Sequence, residues 1–305
     1  VIRLVIRLCL LYLLPAGVVA AVPRVVVSIA PLHSLVTGVM KGVGTPELLV
    51  KGNASPHGLL LKPSQVIAVQ RAAVIVWADD GVEAFMPRLL ATLPPDKHII
   101  KVATLPGITR LPARDGGVWS DDNGDDGNAH SRNDIDGHLW LDPGNARVIV
   151  AQLSVTLGRL DPQHATAYRA NAARVKRRLT ELDQALKRRL APVRTIPYLV
   201  FHDAYQYFER RYRLNPVGAI MVDPEHKPGA RRLADIRMRI KNRHIHCVFS
   251  EPQFSNKLPD ILVAGTGAHS ATLDPLGLGI PDGEDQYFDM MLQLGHDLAA
   301  CLAAD

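Results

Sequence analysis

The chain has 305 residues, 47% of them hydrophobic and 21% charged, a balance that excludes a disordered or fibrous polymer and is long enough for two compact domains. Its formal charge is +5, and setting aside Arg3 and Arg7, which lie in a segment read below as removable, leaves +3. That is too little to argue for a nucleic-acid partner, and no basic cluster interleaved with aromatics points to one.

The first 21 residues read as a secretory signal. Arg3 and Arg7 form a positive start, Cys9–Val19 is a short apolar run broken by Pro15 and Gly17, and Val19-Ala20-Ala21 supplies small residues for cleavage after Ala21. No later stretch approaches the roughly 18 apolar residues of a membrane span, so a soluble exported protein in a periplasm is expected. Removing Cys9 leaves Cys247 and Cys301, an even number suited to an oxidising compartment.

Strand and helix then alternate. Arg24–Ile29, Glu47–Val50, Val74–Trp77 and His98–Val102 are Val/Ile-rich strand candidates, with helices expected over His33–Lys41, Pro63–Arg71 and Val82–Leu90. The alternation predicts an α/β fold with mostly parallel sheets. Asp115–Asp136 breaks the pattern with Asp121, Asp122, Asp125, Asp126, Asp134, Asp136 and His130, and reads as a mobile acidic surface loop. Pro162–Pro192 carries the strongest helical period: Tyr168, Ala172, Val175, Leu179, Leu182, Leu186 and Leu190 form one apolar stripe. About 28 residues at 1.5 Å each reach about 42 Å, enough to bridge two lobes. A second α/β set follows, with strands at Tyr198–Phe201, Cys247–Ser250 and around Ala271–Leu273, and helices at Ala204–Arg211, Gly229–Asn242 and Gln286–Leu302. The expected organisation is a signal peptide at 1–21, a first lobe at 22–160, a linking helix at 161–193 and a second lobe at 194–305.

Twelve histidines are present, and most sit in polar contexts that need no special role. His57, His138 and His202 differ: each occupies a junction between a strand-like run and a loop, where α/β proteins place ligand groups. They are far apart in the chain, so spacing alone does not join them.

The segments SIAPLHSLV, ASPHGLLLKPSQ, VIVWADDGVEAFM, HLWLDPGNAR, VFHDAYQYFERRY, CVFSEPQF and TLDPLG, with Cys301 near the end, together resemble the zinc-uptake substrate-binding proteins of ABC transporters, the ZnuA family, over about residues 24 to 303. The resemblance implies two α/β lobes joined by a long rigid helix, metal held in the cleft by His57, His138 and His202, Zn²⁺ as cargo, and a membrane permease as partner. A monomer is expected. Manganese-binding relatives carry a carboxylate at the third position, whereas His202 offers nitrogen, and three imidazoles suit Zn²⁺ better than Mn²⁺. The same fold serving Mn²⁺ or Fe²⁺ uptake is the alternative. Glu251 is a candidate cleft carboxylate. Asp274 matches the ligand position of manganese-type relatives and is the expected fourth ligand, with water next. Pro56 stands where some zinc-binding members have an acidic residue and cannot serve. Cys247 and Cys301 are expected to form a disulfide tying a strand of the second lobe to its last helix. A secreted zinc hydrolase is the rival class, but neither His-Glu-x-x-His nor Gly-x-Ser-x-Gly occurs.

Overall fold

A computed structural model describes residues 21–52, 54–114, 135–221, 228–255 and 257–304. The signal segment up to residue 20 and residues 115–134 of the acidic loop, His130 included, lie outside the described residues.

The first lobe runs β1 (Val25–Val27), α1 (Ala30–Met40), β2 (Glu47–Leu48), α2 (Pro63–Arg71), β3 (Val74–Trp77), α3 (Met86–Leu90), β4 (His98–Lys101) and α4 (Pro143–Leu160). α5 (Ala165–Leu190) leads to the second lobe: β5 (Pro197–His202), α6 (Gln206–Tyr212), β6 (Asn215–Met221), α7 (Ala230–Asn242), β7 (Cys247–Ser250), α8 (Lys257–Val263), β8 (His269–Thr272) and α9 (Gln286–Leu302). Each lobe holds a four-stranded sheet, ordered β2-β1-β3-β4 and β6-β5-β7-β8, and every strand pairing is parallel. Parallel neighbours need crossover helices, which cover both faces and let strands such as β3 and β7 be buried along their whole length.

In both sheets the strand order reverses direction once, between β1 and β3 and between β5 and β7. Ligands of open α/β sheets bind beyond the carboxyl ends of strands at such reversals. His202 is the last residue of β5 and Glu251 follows β7, so both flank the reversal of the second sheet.

α5 is the linking helix. Its predicted stripe of seven apolar residues is buried, and short 3₁₀ turns at Pro162–His164 and Ala191–Val193 extend it at both ends, because Pro162 and Pro192 each sit in a first turn where no N–H is needed. Asp183 shares the buried stripe, where it accepts from Arg211 of α6 and Lys187. The packing does not divide at the lobe boundary. One apolar cluster runs from β1 and α1 through α4 and α5 to β5, β7 and α9, while smaller clusters back the outer face of each sheet. A disulfide joins Cys247 on β7 to Cys301 on α9, with Cα atoms 6.3 Å apart.

Candidate metal centre

His57, His138 and His202 converge. Each contributes one ring nitrogen to a group whose members all lie within 4.8 Å of one another. The ring centroids stand 5.3–5.5 Å apart. Only His202 ends a strand. His57 lies in the loop between β2 and α2, and His138 precedes the 3₁₀ turn Leu139–Leu141, whose chain arrives by a single bridge between Pro112 and Ile135. Gly137 lets this segment press against the turn after β3: a Cβ there would stand 2.8 Å from Val82 Cγ2 and 3.1 Å from Asp79 Cβ.

The two buried rings are oriented from behind. His138 Nδ1 is 2.8 Å from Asp136 Oδ1, whose same oxygen accepts from the His138 backbone N–H at 3.0 Å. His202 Nδ1 lies 2.6 Å from Glu251 Oε1, a close contact between buried groups. A carboxylate at Nδ1 holds the proton there and turns the Nε2 lone pair toward the site. The two Nε2 atoms then face each other at 3.4 Å. Ligands 2.0–2.1 Å from a tetrahedral Zn²⁺ are separated by about 3.3–3.4 Å along an edge. The pair therefore already holds the spacing of one edge of such a site.

Burial sets the charge states. It lowers the His138 pKa to about 3, with repulsion from His202 adding to the shift, so this ring is neutral at ordinary pH. Burial also acts to lower His202, but the adjoining Glu251 carboxylate outweighs it and the net shift is upward. Asp136 is pushed up by burial, opposed by the His138 amide and by Arg114.

The space among the rings is about 10 Å³, lined also by Ser55, Trp140, Gln253, Phe254 and Leu276. That is room for one water or ion among the three rings.

Asp274, the expected fourth ligand, lies outside the group that the three histidines form. It follows β8 and its carboxylate closes a turn: Oδ1 accepts from the N–H groups of Leu276 at 2.9 Å and Gly277 at 3.0 Å and from Gln253 at 3.2 Å, and Oδ2 accepts from the Leu278 N–H. A short polar side chain at a strand end is drawn to the nearest unpaired amides. Glu251 stands against His202, and among the described residues no carboxylate belongs to the ligand group. Asp136, read from sequence as part of the acidic loop, is instead buried behind His138. Its signal was the two-residue spacing Asp136-Gly137-His138, short enough for a carboxylate to fold back on the ring.

Two lobes of parallel sheet, a long connecting helix and an ion-sized site between three histidines define a cleft-type binding protein of the α/β class. The chain belongs to the family described as zinc-uptake complex component A, periplasmic, whose profile matches residues 25–301. The high-affinity zinc uptake system protein ZnuA of Brucella suis biovar 1 is 39% identical over 92% of this chain and 91% of its own length. That of Yersinia pestis is 33% identical over 91% of each. A crystal structure of ZnuA superposes with a TM-score of 0.77 at 26% identity, covering 92% of this chain and 99% of that one. A mutant of the laminin-binding adhesin of Streptococcus agalactiae, 22% identical with a TM-score of 0.75, shares the fold.

Proposed function

We propose that this chain is the periplasmic capture component of a zinc ABC transporter: it binds one Zn²⁺ through His57, His138 and His202 and passes it to a membrane permease. The observation that carries the reading is the 3.4 Å separation of two Nε2 atoms, each on a ring whose Nδ1 meets a buried carboxylate. Relatives named for high-affinity zinc uptake support the process. Three imidazoles favour Zn²⁺ over the oxygen-seeking Mn²⁺. Water completes the tetrahedron, since Asp274 is committed to its turn and Pro56 has no donor. A water ligand is easily displaced, which suits a protein that must surrender its cargo. On this reading the protein acts as a monomer after loss of its leader and as a carrier, in keeping with relatives named for zinc uptake.

Titration of the metal-free protein with zinc against a competing chelator tests this. One equivalent is expected to bind, and His57→Ala, His138→Ala and His202→Ala each to weaken it strongly. Parental affinity in all three variants rejects the site.

A further inference from the structure

We propose that Arg114 is a positioning residue for the metal site: from the first lobe it grips the residue beside His202 and so fixes where the second lobe's ligand meets His138. The inference rests on the zinc reading above and extends it.

Arg114 lies three residues beyond Leu111, at the end of the segment that accepts the backbone N–H of Asp136. Its Nε donates to both oxygens of Asp203, at 3.0 and 2.8 Å, and Nη2 donates to Asp203 Oδ1 as well. The same Nη2 reaches Glu209 Oε2 on α6 at 2.7 Å. The side chains are largely withdrawn from solvent: Arg114 is 20%, Asp203 13% and Glu209 3% exposed. Asp203 immediately follows His202 at the end of β5. A planar fork spanning two carboxylates fixes direction as well as distance, which a point charge does not.

The neighbouring contacts act on the same joint. Tyr207 Oη of α6 accepts from the Leu111 N–H at 3.0 Å and donates to the Asp136 carbonyl at 2.9 Å. Second-lobe side chains thus hold both strands of the Pro112–Ile135 bridge, one strand leading to Arg114 and the other to His138. The nitrogens of His138 and His202 come from different lobes, and their 3.4 Å spacing needs a fixed joint between those lobes. Arg114 is a charged bolt of that joint, placed beside His202.

Two effects of removing Arg114 have opposite signs. By field alone, losing a cation and exposing Asp203 and Glu209 as unpaired anions would tighten Zn²⁺ binding. Through positioning, the same change loosens the His138–His202 spacing and weakens it. The sign of the change therefore separates them.

The test uses the mature chain with Arg114→Met, Arg114→Lys and Asp203→Asn. Zinc affinity is read by chelator competition, release by stopped flow into excess chelator, and ligand geometry by the visible absorption of the Co²⁺ form. Arg114→Met is expected to bind zinc at least about tenfold more weakly, to release it faster and to alter the Co²⁺ bands, as a displaced nitrogen ligand would. Arg114→Lys is expected to fall between, and Asp203→Asn to reproduce Arg114→Met. Tighter binding in Arg114→Met, or affinity within about twofold of the parent with an unchanged Co²⁺ spectrum, overturns the proposal. Should Arg114→Met fail to melt cooperatively, parental affinity in both other variants overturns it instead. The parent and His138→Ala run alongside: no zinc binding by the parent, or parental affinity in His138→Ala, rejects the zinc reading itself and this inference with it.

Discussion

Glu251 and Asp274 follow neighbouring strands, β7 and β8, and their carboxylates do opposite work. Glu251 spends its charge on a ligand ring, 2.6 Å from His202 Nδ1. Asp274 spends its charge on backbone N–H groups. Glu251→Gln keeps the shape but removes the anion that orients and enriches the imidazole, so zinc affinity is expected to fall about 10- to 100-fold, the usual toll of losing a partner behind a metal-bound histidine. Asp274→Ala is expected to leave zinc affinity within about threefold while lowering stability by about 2 kcal/mol, because three turn amides lose their acceptor. Chelator competition and urea melts on the two variants read both numbers. If Asp274→Ala costs more affinity than Glu251→Gln, the fourth ligand is Asp274 after all. This division is hard to read from sequence. The segments Ser-Glu-Pro and Leu-Asp-Pro look alike, and what separates the two acids is which unpaired N–H or ring each reaches in three dimensions.

At the scale of elements, β3, β7 and α9 coincide with the residues that their largely apolar runs and apolar periods predict, since a strand buried on both faces is mostly apolar and a core-facing helix is apolar every third or fourth position. α4, β6 and α8 do not stand out in the same way. α4 begins with Asp142 capping Gly144 at 2.6 Å and with Pro143 in its first turn, a start signal hidden inside a segment whose histidine draws attention elsewhere. β6 opens Asn-Pro and contains Gly218, residues that argue against a strand; it survives as the edge of its sheet. The turn after β3 holds an acid whose behaviour is set chiefly by burial. Glu83 Oε2 accepts from Ala78 N at 2.9 Å and Asp79 N at 3.0 Å, and desolvation raises its pKa from 4.5 to about 7 despite those bonds. A carboxyl that binds its proton more tightly when folded stabilises fully below its unfolded pKa, and this contribution is lost as pH rises through the folded value. Between about pH 4.5 and 7 the loss approaches 1.4 kcal/mol per pH unit for one proton. Stability of the metal-free protein measured across that window is expected to fall less steeply in Glu83→Gln, whose amide cannot ionise; an unchanged slope would show that Glu83 is ionised throughout. The link between β7 and α9 has its own measure. With Cys247 and Cys301 54 residues apart, closing the loop is worth roughly 4 kcal/mol in the chain-entropy account. A Cys247→Ser/Cys301→Ser double variant is expected to unfold at lower urea by an amount approaching that figure, and a midpoint matching the parent would place the β7–α9 contact in packing alone.

At the scale of the whole molecule, the word lobe overstates the division. The principal apolar cluster passes through α1, α4, α5 and α9 without a break between the sheets. Polar contacts cross the same plane: Trp140 Nε1 donates to the Pro275 carbonyl at 2.8 Å, Tyr287 Oη to the Trp140 carbonyl at 2.8 Å, the Tyr287 N–H to Ser34 Oγ at 3.0 Å, and Arg211 Nη1 to Asp142 Oδ1 at 2.7 Å. A hinge that opened the cleft widely would pull apart this shared core and leave those buried groups unpaired, a cost the metal-free protein would bear in full. Entry and release of zinc are therefore expected to involve the loop between β2 and α2, where His57 is less buried than the other two histidines, with the sheets staying in place. A compact body of about 280 residues has a radius of gyration of about 19 Å, and small-angle scattering of zinc-loaded and chelator-treated protein should show a difference of about 1 Å or less. A hinge-bending protein whose halves share no core closes by rigid-body rotation, which the same measurement registers readily. A change of about 2 Å or more would mean that the continuous core parts when the ion leaves, and that the cross-lobe bonds of Trp140, Tyr287 and Arg211 form only with the metal in place.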